Sequence, residues 1–338
     1  MGGLRGFVIG ALWLAGLVVV ALMIAAVVFD RGGRGRAAPA ASGSNAEAVR
    51  PIIPLVASPT APSSSPVISA QDLPIPVLPP TEVAPAAGCD APAFVGAARA
   101  NAASLATLIW SPFRRPETGW RIYAPSVGQA IGATCPPESE RFAEALSRWQ
   151  ASHSRPATGV LDQATFAAMR DRWELARPFV RLTAGGACPS GPAAAEMASA
   201  TPAEAYAGKP VRLMPGALAA YRRMVAAART ESQAVAADKR VLAIFSGYRS
   251  PEADAARCAR DEDCSAVTRA ACSAHRTGTA VDLVLDPDPA HRPDSAADPD
   301  RLRLSQSPAY AWMVARAGAF GYVNYPFEPW HWEWAGQP

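Results

Sequence analysis

From Gly6 to Phe29 the chain carries no charged residue (GFVIGALWLAGLVVVALMIAAVVF). A helix of that length, at about 1.5 Å per residue, crosses a hydrocarbon layer of about 30 Å. One transmembrane helix is predicted over residues 6–29, preceded by a short cytoplasmic start at 1–5. A cleavable signal sequence is the alternative reading, but its apolar core is usually about 7–15 residues and no small-residue cleavage site follows promptly. Beyond the span, residues 30–88 show neither a helical period nor alternation, and positions 37–87 hold eleven of the 33 prolines among Ala, Ser and Val. That composition predicts a disordered linker.

Periodicity returns in ERFAEALSRWQ, where Phe142, Leu146 and Trp149 recur at helical spacing. A polar, proline-containing turn follows. Asp162 is then placed as the N-cap of a second helix whose apolar face is Phe166, Met169 and Trp173. Residues 89–185 therefore read as a small helical domain. A third helix is predicted from Pro215 to Ala236, with Leu218, Tyr221 and Val225 on one face. Two short strand-like runs come next: VLAIFSGYRS, and AVDLVLD, in which Val281, Leu283 and Leu285 face one way and Asp282 the other. In NYPFEPWHWEW, Trp330, Trp332 and Trp334 alternate with His331 and Glu333. The indoles thus share one face, as core packing or as a wall of a cleft.

The length of 338 residues allows two modest domains beside the non-globular start. A net charge of +3 with no long basic run excludes a nucleic-acid partner. The cysteines are even in number (Cys89, Cys135, Cys188, Cys258, Cys264, Cys272) and suit an oxidising compartment. A Cys89–Cys135 bridge would staple the start of the helical domain. The C-x5-C-x7-C run of the last three lacks the close pairs of structural zinc sites, so disulfides are expected. A bridge among these three would hold the loop ahead of Ser273 and His275. The arginines after the span (Arg31, Arg34, Arg36, against Arg5 before it) would by themselves keep the following chain in the cytoplasm, and the cysteines argue the other way.

His275 and Asp282 stand seven residues apart across a glycine-containing loop, and Glu328 stands three residues before His331 with a proline between them. Two histidines, an aspartate and a nearby glutamate are the ligand and base set of a mononuclear hydrolytic zinc site. Taken singly, each has a blander reading: a hydrogen-bonded structural histidine, an aspartate pairing with an arginine. The remaining histidines, His153 and His291, lie in polar stretches that read as solvated loops. Glu333, on the same face as His331, rivals Glu328 as proton acceptor, and spacing leaves both open.

The series SGYRS at 246–250, SAHRTGTAVD at 273–282 and EPWH at 328–331 resembles the VanY-like D-alanyl-D-alanine carboxypeptidases of the LAS metallopeptidase group. The resemblance runs from the helix at Pro215 to the end. It implies an α+β catalytic domain over 186–338, a small antiparallel sheet with flanking helices. It also implies that His275, Asp282 and His331 bind zinc (Zn2+), that Glu328 is the catalytic base, that Arg249 lies over the scissile carbonyl or the substrate carboxylate, and that Ser273 lines the same pocket. The implied activity is hydrolysis of the terminal D-alanine of peptidoglycan stem peptides. A related D,D-endopeptidase, an L,D-peptidase, or a non-catalytic wall-binding protein on the same scaffold are the alternatives. One departure stands out: the family often has glutamine five residues after the YRS arginine, and here that residue is Asp254.

The helical domain, with its W-Q ending, its T-G-V-L-D turn and its Thr-Phe helix, resembles the peptidoglycan-binding-like domains appended to bacterial wall hydrolases. That resemblance implies cell-wall glycan as a partner; a helical spacer without a ligand is the alternative. A substrate of this kind lies outside the cytoplasmic membrane, so the catalytic side of a single-pass bacterial inner-membrane protein is expected to be periplasmic.

Overall fold

The computed structural model describes residues 88–261 and 272–336. The expected span at 6–29, the linker up to residue 87, and Cys264 lie outside the described residues; among the described residues, no helix is long and apolar enough to cross a membrane.

The helical region begins with α1 (Val95–Thr107), a two-stranded ribbon of β1 (Ile109–Trp110) and β2 (Glu117–Thr118), and α2 (Ala124–Ile131). The two periodic stretches follow as α3 (Glu140–Ser152) and α4 (Gln163–Ala176), with the short α5 (Pro178–Leu182) behind them. Both cap positions are occupied by side chains that accept an otherwise orphaned N–H: Ser139 Oγ from Phe142 N at 3.2 Å, and Asp162 Oδ1 from Thr165 N at 2.6 Å. A Cys89–Cys135 disulfide ties the start of the region to the loop before α3.

The C-terminal region opens with the small ribbon of β3 (Ala198–Ser199) and β4 (Arg212–Leu213). It continues through α6 (Pro215–Glu231), α7 (Gln233–Ala237), β5 (Ile244–Ser246), α8 (Pro251–Asp261) and β6 (Ala280–Leu283). The chain then runs through α9 (Asp298–Ser305), α10 (Pro308–Arg316), β7 (Tyr322–Tyr325) and β8 (Glu328–Trp334). The helix expected from 215 to 236 is interrupted because Ser232 leaves the helical region (φ −126°, ψ 109°), and its Oγ caps α7 through Val235 N at 3.4 Å. The sheet is four-stranded and antiparallel, in the order β5-β6-β8-β7. One face packs on α6 and α10 through Leu218, Tyr221, Met224, Val281, Leu283, Tyr310, Met313 and Trp332. The tryptophans of β8 belong here: Trp330 and Trp332 are buried in this core and Trp334 packs against it, so of the two readings of the indole face, core packing is the one realised.

The two regions share a second core. Tyr325 and Phe327, at the turn between β7 and β8, pack among Phe113, Tyr123, Phe142 and Phe166 of the helical region. Above them Arg301 is fully buried. Its Nε donates to Phe327 O at 2.8 Å, its Nη2 to Tyr123 Oη at 2.6 Å, and its Nη1 pairs with Glu117 and Asp298 at 3.1 and 3.0 Å. The described residues consequently form one compact unit rather than two that meet only through the chain.

One surface pair makes the acid limb of stability testable. Arg222 donates to both oxygens of Glu204 at 2.6 and 2.9 Å and Thr201 N adds a third bond at 2.7 Å. The guanidinium foremost holds this carboxyl down at about 2, against its partial burial. An unfolded glutamate titrates at about 4.3, so the stabilisation is complete above that pH and is lost as pH falls through 2. Glu204→Gln is expected to cost about 1 kcal/mol near neutrality and to flatten the fall in urea midpoint between pH 5 and pH 2. Superimposable pH profiles for the two proteins would contradict this.

Candidate metal centre and active site

Asp282 on β6 and His331 on β8 are register partners, so their side chains leave the sheet on the same face, opposite to Val281 and Trp332 in the core. His275 comes from a single helical turn (Ala274–Thr277) that leads into β6 and is closed by Gly278 at φ +69°. Its ring is oriented by Gly247: His275 Nδ1 donates to the Gly247 carbonyl at 2.7 Å, which leaves Nε2 with the free lone pair. Gly247 can come this close because it has no side chain. A Cβ there would stand 2.6 Å from Val211 Cγ1 and 2.8 Å from Arg212 O.

His275 Nε2 lies 3.1 Å from Asp282 Oδ2, and His331 Nδ1 lies 2.9 Å from Asp282 Oδ1. One donor atom from each residue falls within 4.8 Å of the others, and all three residues are buried. Two imidazole nitrogens and one carboxylate oxygen, with the His275 ring held from behind by the Gly247 carbonyl, are a donor set that fits a zinc ion. Burial works against the charge on Asp282, but the flanking His275 and His331 hold its carboxyl far below the ordinary range.

Glu328 would point away from His331 on a regular strand, being three residues earlier. The ladder is broken there: Asn324 pairs with Trp332 and the next residue, Tyr325, with Glu328, so Pro329–His331 form a bulge. Asn324 Nδ2 donates to His331 O at 2.9 Å and Trp332 Nε1 to Pro329 O at 3.0 Å, which occupies the carbonyls the bulge frees. Glu328 Oε2 is thereby carried to 3.9 Å from His331 Nδ1, the side of the ring that faces Asp282. Burial foremost pushes its carboxyl up to about 7, with His331 pulling the other way. Glu333 stands on the opposite side of the ring, 3.6 Å from His331 Nε2, and is bound by Arg177 Nε at 2.7 Å and Phe179 N at 2.9 Å. Burial would raise Glu333, yet the His331 imidazole and the Arg177 guanidinium hold it at about 2. Glu328 therefore stands on the side of the His331 ring that faces Asp282, and Glu333 on the other.

Arg249 and Ser273 meet through the residue that departs from the family pattern. Asp254, buried at the start of α8, accepts from Arg249 Nη1 at 3.2 Å, from Ser273 Oγ at 2.9 Å and from Arg276 Nε at 2.8 Å. The Arg249 backbone N–H donates to His275 O at 3.2 Å, which sets this cluster beside the His275–Asp282–His331 group. Arg276 went unassigned in the sequence although it adjoins His275; Arg177 gave no signal, lying 156 residues from its partner Glu333.

Cys258 and Cys272 are disulfide-bonded, as expected, and the structure supplies a pairing that the sequence left open. Cys272 does not pair within the C-x5-C-x7-C run: it is bonded to Cys188, 84 residues earlier. The loop ahead of Ser273 and His275 is still tethered, as expected, but to the segment between the two regions. His153 is stacked on Trp149 at 4.0 Å and His291 pairs with Asp300 at 2.7 Å, and neither joins the donor group.

Residues 211–337 match the family model of VanY, D-alanyl-D-alanine carboxypeptidase. The match takes in the whole sheet and every donor, base and arginine assigned from the motifs, so the VanY-like resemblance holds over this stretch. It does not extend to residues 89–185. No curated protein matches the chain.

Proposed function

We propose that the chain is a zinc-dependent D-alanyl-D-alanine carboxypeptidase acting on peptidoglycan stem peptides. The observation that carries this reading is the convergence of His275 Nε2, Asp282 and His331 Nδ1 beside a partly buried Glu328, within the residues that match the VanY family. A zinc ion held by the three would polarise the scissile carbonyl and lower the pKa of water toward 7. Glu328 takes the proton of the attacking water and returns it to the leaving amine, so that the amide C–N bond breaks and D-alanine departs with the hydrogen it needs. Arg249, steadied by Asp254 and next to the Ser273 hydroxyl, offers its remaining N–H groups to the substrate's terminal carboxylate or to the oxygen that becomes negative during attack.

The same proposal anchors the chain through residues 6–29, spaces it from the bilayer by the linker to residue 88, and sets the catalytic region outside the cytoplasmic membrane. The Cys89–Cys135 and Cys188–Cys272 bridges support an oxidising compartment. Metal analysis tests the ligand set: the purified full chain is expected to hold one zinc, and Asp282→Ala less than about a tenth of that after dialysis, since losing a direct ligand costs more than the 10–100-fold typical of an outer partner. Equal zinc in both proteins would overturn it.

A further inference from the structure

The helical region reaches the metal centre from behind. Arg177, at the junction of α4 and α5, is nearly buried. It lies 4.0 Å over the Tyr325 ring, pairs with Glu174 at 2.8 Å, and donates through Nε to Glu333 Oε1 at 2.7 Å. Two residues on, Phe179 N donates to Glu333 Oε2 at 2.9 Å. Both oxygens of a carboxylate that is 1% exposed are therefore held by residues outside the stretch that matches the family. The same carboxylate lies 3.6 Å from His331 Nε2, beyond hydrogen-bond distance; this ring nitrogen, turned away from Asp282, is buried and has no hydrogen-bond partner among the described residues. A buried carboxylate without a cation is costly, and Arg177 is what allows Glu333 to stay charged there. A charged acceptor on the remote nitrogen of a ligand histidine fixes its ring and strengthens it as a donor, and losing such a partner typically costs 10–100-fold in metal affinity.

We propose that the helical region completes the metal centre: Arg177 is a positioning residue that, through Glu333, orients His331 toward the metal. The inference rests on the reading of His275, Asp282 and His331 as zinc ligands. On this account residues 89–185 are a structural part of the active site, whatever else they bind.

The test uses the full chain as wild type, Arg177→Met, Arg177→Lys and Glu333→Gln. Zinc affinity is measured by competition with a chromophoric chelator, the visible spectrum is recorded with cobalt(II) in place of zinc, and the melting temperature is taken on metal-free protein. Arg177→Met is expected to bind zinc about 10–100-fold more weakly and to shift the cobalt spectrum, with Arg177→Lys recovering most of both. Wild-type affinity and spectrum in Arg177→Met, with only the metal-free melting temperature lowered, would make Arg177 a mere brace and overturn the proposal while leaving the ligand assignment intact. A wild type that binds no zinc would instead sink the ligand assignment, and the inference with it. Should Arg177→Met fail to fold, Glu333→Gln decides, because it keeps the volume and the bond from Arg177: weaker zinc binding supports the proposal and unchanged binding overturns it.

Discussion

Glu328→Gln is expected to lower kcat for release of D-alanine by at least about a hundredfold, within the 10² to 10⁴ typical of general acid–base groups, with zinc content and melting temperature unchanged. The substitution keeps the volume and polarity of a partly buried side chain and removes only its ability to take up a proton. The large effect follows from placement. Glu328 lies on the side of His331 that faces Asp282, where the donor atoms converge, whereas Glu333 has both oxygens bound by Arg177 and Phe179 on the far side. No second carboxylate of the motif is placed to take over. A glutamine variant that turns over at more than about a third of the wild-type rate with full zinc would remove Glu328 from the mechanism.

Arg301→Met is expected to destabilise the full chain by about 3–5 kcal/mol, the range for a buried ion pair that loses one partner. Methionine fills much of the space, so the loss is electrostatic. Glu117 is left buried with only Tyr123 Oη as a donor, and the Phe327 carbonyl loses the N–H that occupied it. Because Arg301 joins the helical region to the β7–β8 turn, the urea transition is also expected to broaden or split. Glu117→Gln in the same background should recover part of the loss, since the two residues form one network and their effects do not add. A single transition shifted by less than 1 kcal/mol would show that the shared aromatic core holds the regions together unaided.

Much of this was legible in the sequence where chemistry and period coincide. Asp162 as a cap, the α3 and α4 faces, and the split of Asp282 from Val281 and Leu283 follow from local rules, because capping and alternation depend on neighbours a few residues away. The donor set was readable because histidines are scarce and sit in patterned segments. The resemblance pointed to Glu328 rather than Glu333, while its placement on the Asp282 side of His331 depends on the bulge at Pro329–His331, a feature of strand pairing that alternation alone does not show. The partners of Asp254 and the reach of Arg177 to Glu333 were illegible for a different reason. They join residues far apart in the chain, and an arginine carries no mark of which distant carboxylate it meets. The same holds for Cys188–Cys272, a pairing across 84 residues that spacing left open.

The central claim is a metal-dependent release of one terminal D-alanine, and product mass tests it most directly. The full chain is incubated with disaccharide pentapeptide, with a chelator, and with the chelator followed by zinc. The account predicts conversion to the tetrapeptide with loss of one alanine, no conversion with chelator, and recovery on adding zinc. Conversion that survives the chelator, or cleavage only at a cross-link or at an L,D bond, or intact pentapeptide in the presence of bound zinc, would contradict it.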